Sequence, residues 1–418
     1  MSIKRNFFAG YFCLLVAGLI GCGTPAGTDH KIDRQSPETE NTDGDSDSLA
    51  TNSIRPQIRF ATFNASLYRE QSGDLMRELA TGESAQPRLV AETIQRVRPD
   101  VLLLNEFDFD EQGESIRLFQ ENYLRKSQNQ QPSIEYPYVF YAPSNTGIDS
   151  GLDLNRDGKL ASADDAFGFG RHPGQYGMVV LSKYPILRNE VRTFQKFLWK
   201  DMPGALWPID PETNQSYYSP EIKAVFRLSS KSHWDVPIEI HESVVHFLVS
   251  HPTPPVFDGP EDRNGCRNHD EIRFWADYIS AAQYIYDDQG KQGGLPEGAM
   301  FVIAGDLNAD PQDGDSRKAA ANQLTEHPLI QSSPIPASSG GAFFAQQQQG
   351  ANRDHQGDPS QDTADFNNSV GNLRVDYCLP SKNMKLIQAQ VFWPLPDEPF
   401  SYLNAASDHH LVWIDVAW

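Results

Sequence analysis

Four short apolar runs end abruptly in polar residues of compatible chemistry: Asn64, Asn105-Glu106, His251, and Asp306 with Asn308. Asp376, Asp408 and His409 join the set further along the chain. Carboxylates and amide oxygens are hard donors that suit Mg²⁺, Mn²⁺ or Ca²⁺. A cation among them would polarise a phosphoryl oxygen and offset developing negative charge, while a carboxylate or histidine activates water. No His/Cys spacing suggests a structural zinc site, and no G-x-S-x-G elbow, P-loop or Rossmann glycine pattern is present. Any one of these residues can be a turn or cap residue. Six sites of shared chemistry point instead to metal-assisted hydrolysis of a phosphate ester.

The elements that must position them are short. Ile58 to Phe63, Val101 to Leu104, Val244 to Ser250 and Phe301 to Ala304 have the length and β-branched or aromatic content of strands. Helical spacing lies between them: Leu89, Val90, Ile94 and Val97 keep one face apolar before Pro99. A second helix is expected from His269 to Tyr286, where Ile272, Trp275, Ile279 and Ala282 recur at spacings near three and four. Strands alternating with helices give an α/β protein with covered sheets, and polar residues at several strand ends can converge on one rim.

The motifs occur as F-N at 63–64, L-N-E at 104–106, Y-G-M-V-V-L-S-K-Y-P-I at 176–186, S-H at 250–251, G-D-L-N at 305–308, R-V-D-Y at 374–377 and S-D-H-H at 407–410. In this order they resemble the endonuclease/exonuclease/phosphatase superfamily, which includes deoxyribonucleases and neutral sphingomyelinases. The resemblance spans about Ile58 to Val416. It implies a four-layer α/β sandwich, two packed mixed sheets flanked by helices. Residue by residue, it implies Glu106 as principal metal ligand, with Asn64 and Asp408 helping to hold metal or phosphate. Asp306 and Asn308 would orient or deprotonate water, and His409 would be oriented by Asp376. His251 matches the second histidine of the nuclease and sphingomyelinase branches. Two departures stand out: Asn105 replaces the usual Gln before the glutamate, and Pro252-Thr253-Pro254-Pro255 follows His251. No acidic partner for His251 is evident; Tyr176 lies near that place in the order.

Asp153, Asn155, Asp157, Gly158, Lys159 and Asp164 fit positions 1, 3, 5, 6, 7 and 12 of an EF-type calcium loop. Structural Ca²⁺ is expected there, beside catalytic Mg²⁺ or Mn²⁺. Arg171, Arg263, Arg267 and Arg374 lie near the motifs and suit phosphate contacts or surface ion pairs. Residues 331–370 read as a long Ser/Gln/Gly/Asp-rich loop bearing Phe343 and Phe344.

The chain has 418 residues, with 35 Lys+Arg against 56 Asp+Glu and a net charge of −21, which excludes a basic nucleic-acid-binding module. Lys4 and Arg5 precede an apolar run from Phe7 to Ile20, too short for a bilayer span and typical of a secretory signal. Leu19-Ile20-Gly21-Cys22 resembles a lipobox. The expected organisation is a signal peptide at 1–21, a lipidated Cys22 with an acidic tether to residue 56, and one domain from 57 to 418. An exported lipoprotein, periplasmic or on the cell surface, follows from this. Its partners would be a membrane, through the anchor, and a phosphate ester: nucleic acid, phospholipid or small organic phosphate. No obligate protein partner is inferred. A surface binding protein that keeps the fold without catalysis is the alternative. Cys266 and Cys378 could pair or stay free.

Overall fold

A computed structural model describes residues 57–418. The expected signal, tether and Cys22 lie outside the described residues. Two sheets form the centre. In the first, β14 (Lys385–Phe392), β15 (Leu411–Ala417), β1 (Ile58–Leu67), β2 (Val101–Phe107), β4 (Met178–Ser182) and β3 (Tyr138–Phe140) lie side by side in that order. In the second the order is β13 (Asp376–Pro380), β10 (Met300–Asp306), β9 (Ser243–Ser250), β8 (His233–Ile240) and β5 (Arg192–Thr193). Each sheet has one parallel pair at its heart, β1 with β2 and β9 with β10, and is otherwise antiparallel. Two small ladders, β6 (Ile209–Asp210) with β7 (Gln215–Ser216) and β11 (Ala364–Asp365) with β12 (Asn372–Leu373), stand apart.

The period of two in each strand sorts side chains between layers. Phe60, Leu103, Val180, Trp234, Phe247, Val302 and Ile414 point between the sheets, where Phe60 meets Phe247 at 5.6 Å between ring centroids. The alternate residues Ala61, Phe63, Leu102 and Leu104 pack outward against α1 (Asp74–Thr81), α2 (Ala85–Val97) and α3 (Glu114–Phe119). Leu248, Ile303 and Tyr377 face outward on the second sheet, in a core shared with α4 (Pro220–Val225), α5 (Arg263–Ile279) and α6 (Asn322–Thr325). The four-layer sandwich is therefore present. Strand runs fully buried on both faces explain why the sequence shows continuous apolar stretches there rather than alternation.

Three expectations change. The second helix begins at Arg263 and ends at Ile279, because 280–286 turns back to seat Ile285 in the outer core. Residues 331–370 are not one open loop. They contain α7 (Ser339–Gln348), whose Ser338 hydroxyl accepts the Gly341 N–H at 3.0 Å. Cys266 and Cys378 are both free and buried, one in the outer core and the other between the sheets. Among the described residues, no helix is long and apolar enough to cross a membrane.

Candidate active site

At one end of the sandwich the inward-facing rows turn from apolar to polar. Phe60 is followed on the same face by Thr62 and Asn64, Leu103 by Asn105, Val249 by His251, and Ala304 by Asp306. Asn64 and Asn105 are register partners in β1 and β2. The Asn105 amide ties the sheets together: Nδ2 donates to Ser250 O at 3.4 Å, and Oδ1 accepts from the Asp306 N–H at 3.2 Å and the Thr62 hydroxyl at 3.3 Å. Asn105 thus acts as a cross-sheet clamp. Gly305 brings β10 up to it. With φ at +152°, a Cβ there would stand 2.0 Å from Ser250 O, so only glycine allows Asp306 this approach.

Asp306 is the hub. Its Oδ2 accepts from Asn64 Nδ2 at 3.0 Å and faces His251 Nε2 at 3.4 Å and His409 Nε2 at 3.7 Å. Asp376 is its direct cross-strand partner, so two carboxylates sit opposite each other, an arrangement that repels unless a cation lies between. His409 is that cation, with Nδ1 2.8 Å from Asp376 Oδ2. The three side chains are buried and close enough together to enclose an ion. Burial opposes the cationic form of His409, but Asp376 and Asp306 outweigh it and hold its pKa well above the ordinary value. Burial also works to raise Asp306, yet His409 and His251 keep its carboxyl well below the usual range. Asn308 caps the turn, its N–H on Asp306 Oδ1 at 2.9 Å and its amide on Pro252 O at 3.1 Å.

His251 differs from His409. Burial, reinforced by the nearby Lys231, lowers it to about 4, so the ring is neutral at pH 7. Its Nδ1 is buried without a partner. Tyr176 does not support it and packs instead on Tyr68, 4.4 Å between ring centroids.

Glu106 adopts φ +57° where β2 ends, an uncommon conformation for a residue with a Cβ. Burial raises its pKa to about 7, with Asp306 and Asp408 adding to the rise and His409 and Asn64 opposing it. Asp408 is exposed, with Ser66 Oγ 3.4 Å from its Oδ1. Glu106, Asp408 and the Asn64 amide oxygen are the hard oxygen donors a divalent cation fits.

Sequence reasoning missed three residues. Thr363 donates to Asp376 Oδ2 at 2.8 Å and accepts the N–H groups of Val375 and Asp376, both at 3.0 Å. Asn105 was noticed only as a departure. Lys231 is buried beside the cluster; burial lowers its pKa, opposed by Glu271 and then by Glu106 and Asp306, and it has no ion-pair partner among the described residues. A lysine following an apolar-poor Ser229-Ser230 stretch carries no sequence signal for such a place.

The arginines divide differently from the expectation. Arg267 gives its guanidinium to the carbonyls of Leu228, Phe167 and Arg227, and Arg263 pairs with Glu261, so both serve packing near α5. Arg374 lies over the Tyr377 ring at 4.9 Å, and Arg171 pairs with Glu70 at the surface. In the 153–164 loop, Asp153 accepts the N–H of Asp157 at 3.1 Å and that of Gly158 at 2.9 Å. Asp164, however, is exposed. Its neighbour Asp165 turns inward, accepting from Leu154 N at 2.9 Å and Ser162 Oγ at 2.7 Å.

A dry His–Asp pair, a second carboxylate hub and adjacent hard oxygen donors define a hydrolytic centre for phosphoesters. The chain belongs to the Endonuclease/Exonuclease/phosphatase family, whose profile matches residues 61–409. Members of that family are hydrolases of phosphoester bonds and use divalent metals, and this chain is one of them. Among solved structures it is similar to an endonuclease/exonuclease/phosphatase from Beutenbergia cavernae, with 18% identity and a TM-score of 0.48 over 87% of this chain and 72% of that one. Sphingomyelinase C from Streptomyces griseocarneus gives 14% and 0.43 over 86% and 99% of the two chains. Truncated TDP2 from Caenorhabditis elegans gives 15% and 0.40 over 87% and 98%. No curated protein sequence matches the chain.

Proposed function

We propose that this chain is an exported phosphodiesterase that uses Mg²⁺ or Mn²⁺ and splits its substrate by attack of water. The observation that carries this is the shared Asp306 carboxylate, held by Asn64, His251 and His409 next to Glu106. When bound by Glu106, Asn64 and Asp408, the cation would polarise a phosphoryl oxygen. The contacts from His251 and His409 to Asp306, at 3.4 and 3.7 Å, are longer than good hydrogen bonds, so both N–H groups are available to an arriving phosphate oxygen. Drawing them away leaves Asp306 a stronger base. It takes the proton of the attacking water as the new P–O bond forms. The bond to the leaving alcohol breaks, and His409 returns a proton to that oxygen while Asp376 holds its Nδ1. Lys231, whose ammonium is opposed by burial and supported by Glu271, Glu106 and Asp306, stands as a second basic group beside the cationic His409. Export and lipidation at Cys22 rest on Lys4, Arg5, the apolar run to Ile20 and the lipobox-like Leu19 to Cys22.

The test is turnover of a generic phosphodiester, plasmid DNA, RNA and sphingomyelin by the purified protein with Mg²⁺, Mn²⁺ or chelator. Cation-dependent hydrolysis of at least one is expected, and Lys231→Met should raise KM about tenfold or more while kcat falls less. Hydrolysis of none would favour the non-catalytic binding alternative.

Ca²⁺ in the 153–164 loop is proposed separately, on Asp153, Asn155 and Asp157. Tyr217, whose hydroxyl donates to Asn155 O at 3.1 Å, is placed to sensitise a lanthanide there. Tb³⁺ emission excited through tyrosine should be displaced by Ca²⁺ and lost in Asp153→Ala. Emission that Ca²⁺ leaves untouched would sink the assignment.

A further inference from the structure

Helix α5 carries polar side chains on a face that is buried. Asn268, Glu271 and Trp275 follow one another at helical spacing and are fully buried. Their polar atoms reach the chain segments that carry site residues. Trp275 Nε1 donates to Ser250 Oγ at 2.9 Å, one residue before His251. Asn268 Nδ2 donates to Thr253 O and to Leu307 O, both at 2.8 Å, and Leu307 lies between Asp306 and Asn308. Glu271 joins two segments: Oε1 accepts the Ser230 N–H at 2.6 Å and Oε2 accepts the Thr253 N–H at 2.7 Å. A buried carboxylate is costly unless donors meet its oxygens, and here two backbone N–H groups do.

Ser230 is the residue before Lys231, and the backbone there is held on every side. A Cβ on Gly168 would stand 1.8 Å from Ser230 O, so that strip of chain packs backbone to backbone. Lys231 O accepts the Asn145 N–H at 2.8 Å, and Ser230 Oγ donates to His251 O at 3.3 Å. The lysine backbone is therefore pinned, while its ammonium has no ion-pair partner among the described residues. Burial works against that ammonium. Glu271 opposes the burial most, ahead of Glu106 and Asp306, with Arg267 acting the other way. One carboxylate thus ties the Lys231 segment to the chain that follows His251 and gives the lysine its leading charge support.

We propose that Glu271 is a positioning residue of the reaction, presenting Lys231 to the substrate phosphate by fixing Ser230 to Thr253 across the face of α5. The proposal rests on the phosphodiesterase reading, which is what brings a phosphate to Lys231. Glu271 is sealed in the outer layer and acts through the lysine. A glutamine in its place has one acceptor where the carboxylate has two. Its amide nitrogen would face a backbone N–H donor to donor, so one tie breaks and the charge beside Lys231 is lost together.

The experiment is a double-mutant cycle on the purified protein: wild type, Glu271→Gln, Lys231→Met and the two combined. Turnover of a p-nitrophenyl phosphodiester and calorimetric titration of inorganic phosphate are both measured in Mg²⁺. Glu271→Gln should raise KM and the phosphate Kd about tenfold or more, the scale of a hydrogen bond to a charged group, while kcat falls less. In the Lys231→Met background the same change should add less than about threefold, because the group it serves is gone. A merely structural role gives another pattern: kcat falls with the folded fraction, KM stays, and both backgrounds lose equally. Should Glu271→Gln not fold, Glu271→Asp keeps the charge but shortens the reach, and the same cycle with it should show the same coupling. A phosphate Kd unmoved by the Glu271 variants, or moved as far without Lys231 as with it, would overturn the assignment. Coupling in phosphate binding with no ester hydrolysed would uphold it and overturn the phosphodiesterase reading.

Discussion

Asp306→Asn is expected to lower kcat about 10³-fold or more, the scale of losing a positioned acid–base group. The thermal midpoint should fall by only a few degrees, because the asparagine fills the same volume and His409 keeps Asp376. Asp306 Oδ2 collects three donors and is the one carboxylate that both histidines face. Removing its charge takes away the base and one of the two carboxylates that keep His409 cationic. The residual activity should therefore lose its alkaline limb at lower pH than the wild type does, since a less stabilised imidazolium gives up its proton sooner. The sign for stability is opposite in pH. Asp306 has a depressed folded pKa, so its contribution is present above the ordinary carboxylate range and disappears as pH falls through the folded value. His409→Ala should cost a comparable factor, and the double variant little more than either alone, because the pair works as a unit. Steady-state rates for the three variants check this. A kcat within tenfold of wild type for Asp306→Asn would remove Asp306 from the chemistry.

Much of this centre was legible because it consists of strand ends. A residue that terminates an apolar run of four to seven lands at the same end of a sheet as its counterparts, and the register partners Asn64 with Asn105 and Asp306 with Asp376 show how closely. Asn64, Glu106, His251 and Asp306 stand at such ends, whereas Asp376, at the start of β13, and His409, just before β15, are read from the motif order. Thr363 and α7 are read from neither. Helix propensity argues against Ser339-Gly340-Gly341, and tertiary packing overrides it: the glycines let the helix touch backbone at Trp393 and Pro359. The insertion then positions the dyad, with Asp365 N on Asp408 O at 2.7 Å and His410 N on Thr363 O at 2.8 Å. Lys231 was invisible for another reason, since nothing in a Ser-Lys-Ser stretch reveals that its lysine is buried next to three distant strand ends. In the calcium motif, where spacing selects Asp164, the 3₁₀ turn at Ala163–Asp165 leaves Asp164 exposed and faces Asp165 inward.

Mg²⁺ affinity should weaken about tenfold for each pH unit below about 7 and level off above it, the behaviour of a ligand that must lose one proton to bind. Glu106 sets that midpoint. Burial raises its pKa to about 7, helped by Asp306 and Asp408, so in the metal-free protein near neutral pH a proton occupies much of the place a cation would take. Glu106→Gln should abolish the pH dependence and weaken Mg²⁺ binding about 100-fold, as removal of a principal charged ligand does, with kcat lost alongside. Stability follows from the same shift. A carboxyl whose folded pKa is raised contributes stability that is complete below its unfolded pKa, near 4.5, and is lost as pH rises through about 7. The metal-free protein should therefore lose thermal stability between pH 5 and 8, and Mg²⁺ should restore it at the alkaline end. Asp108 and Asp362, raised by burial to about 6 and about 8, push in the same direction, so the slope alone does not identify Glu106. The difference between wild type and Glu106→Gln does, because only in the wild type should Mg²⁺ flatten the profile. Calorimetry of Mg²⁺ binding from pH 6 to 8, with melting curves in chelator and in Mg²⁺, measures both effects. Undiminished Mg²⁺ stabilisation of Glu106→Gln would move the metal centre elsewhere, and with it the origin of the pH dependence.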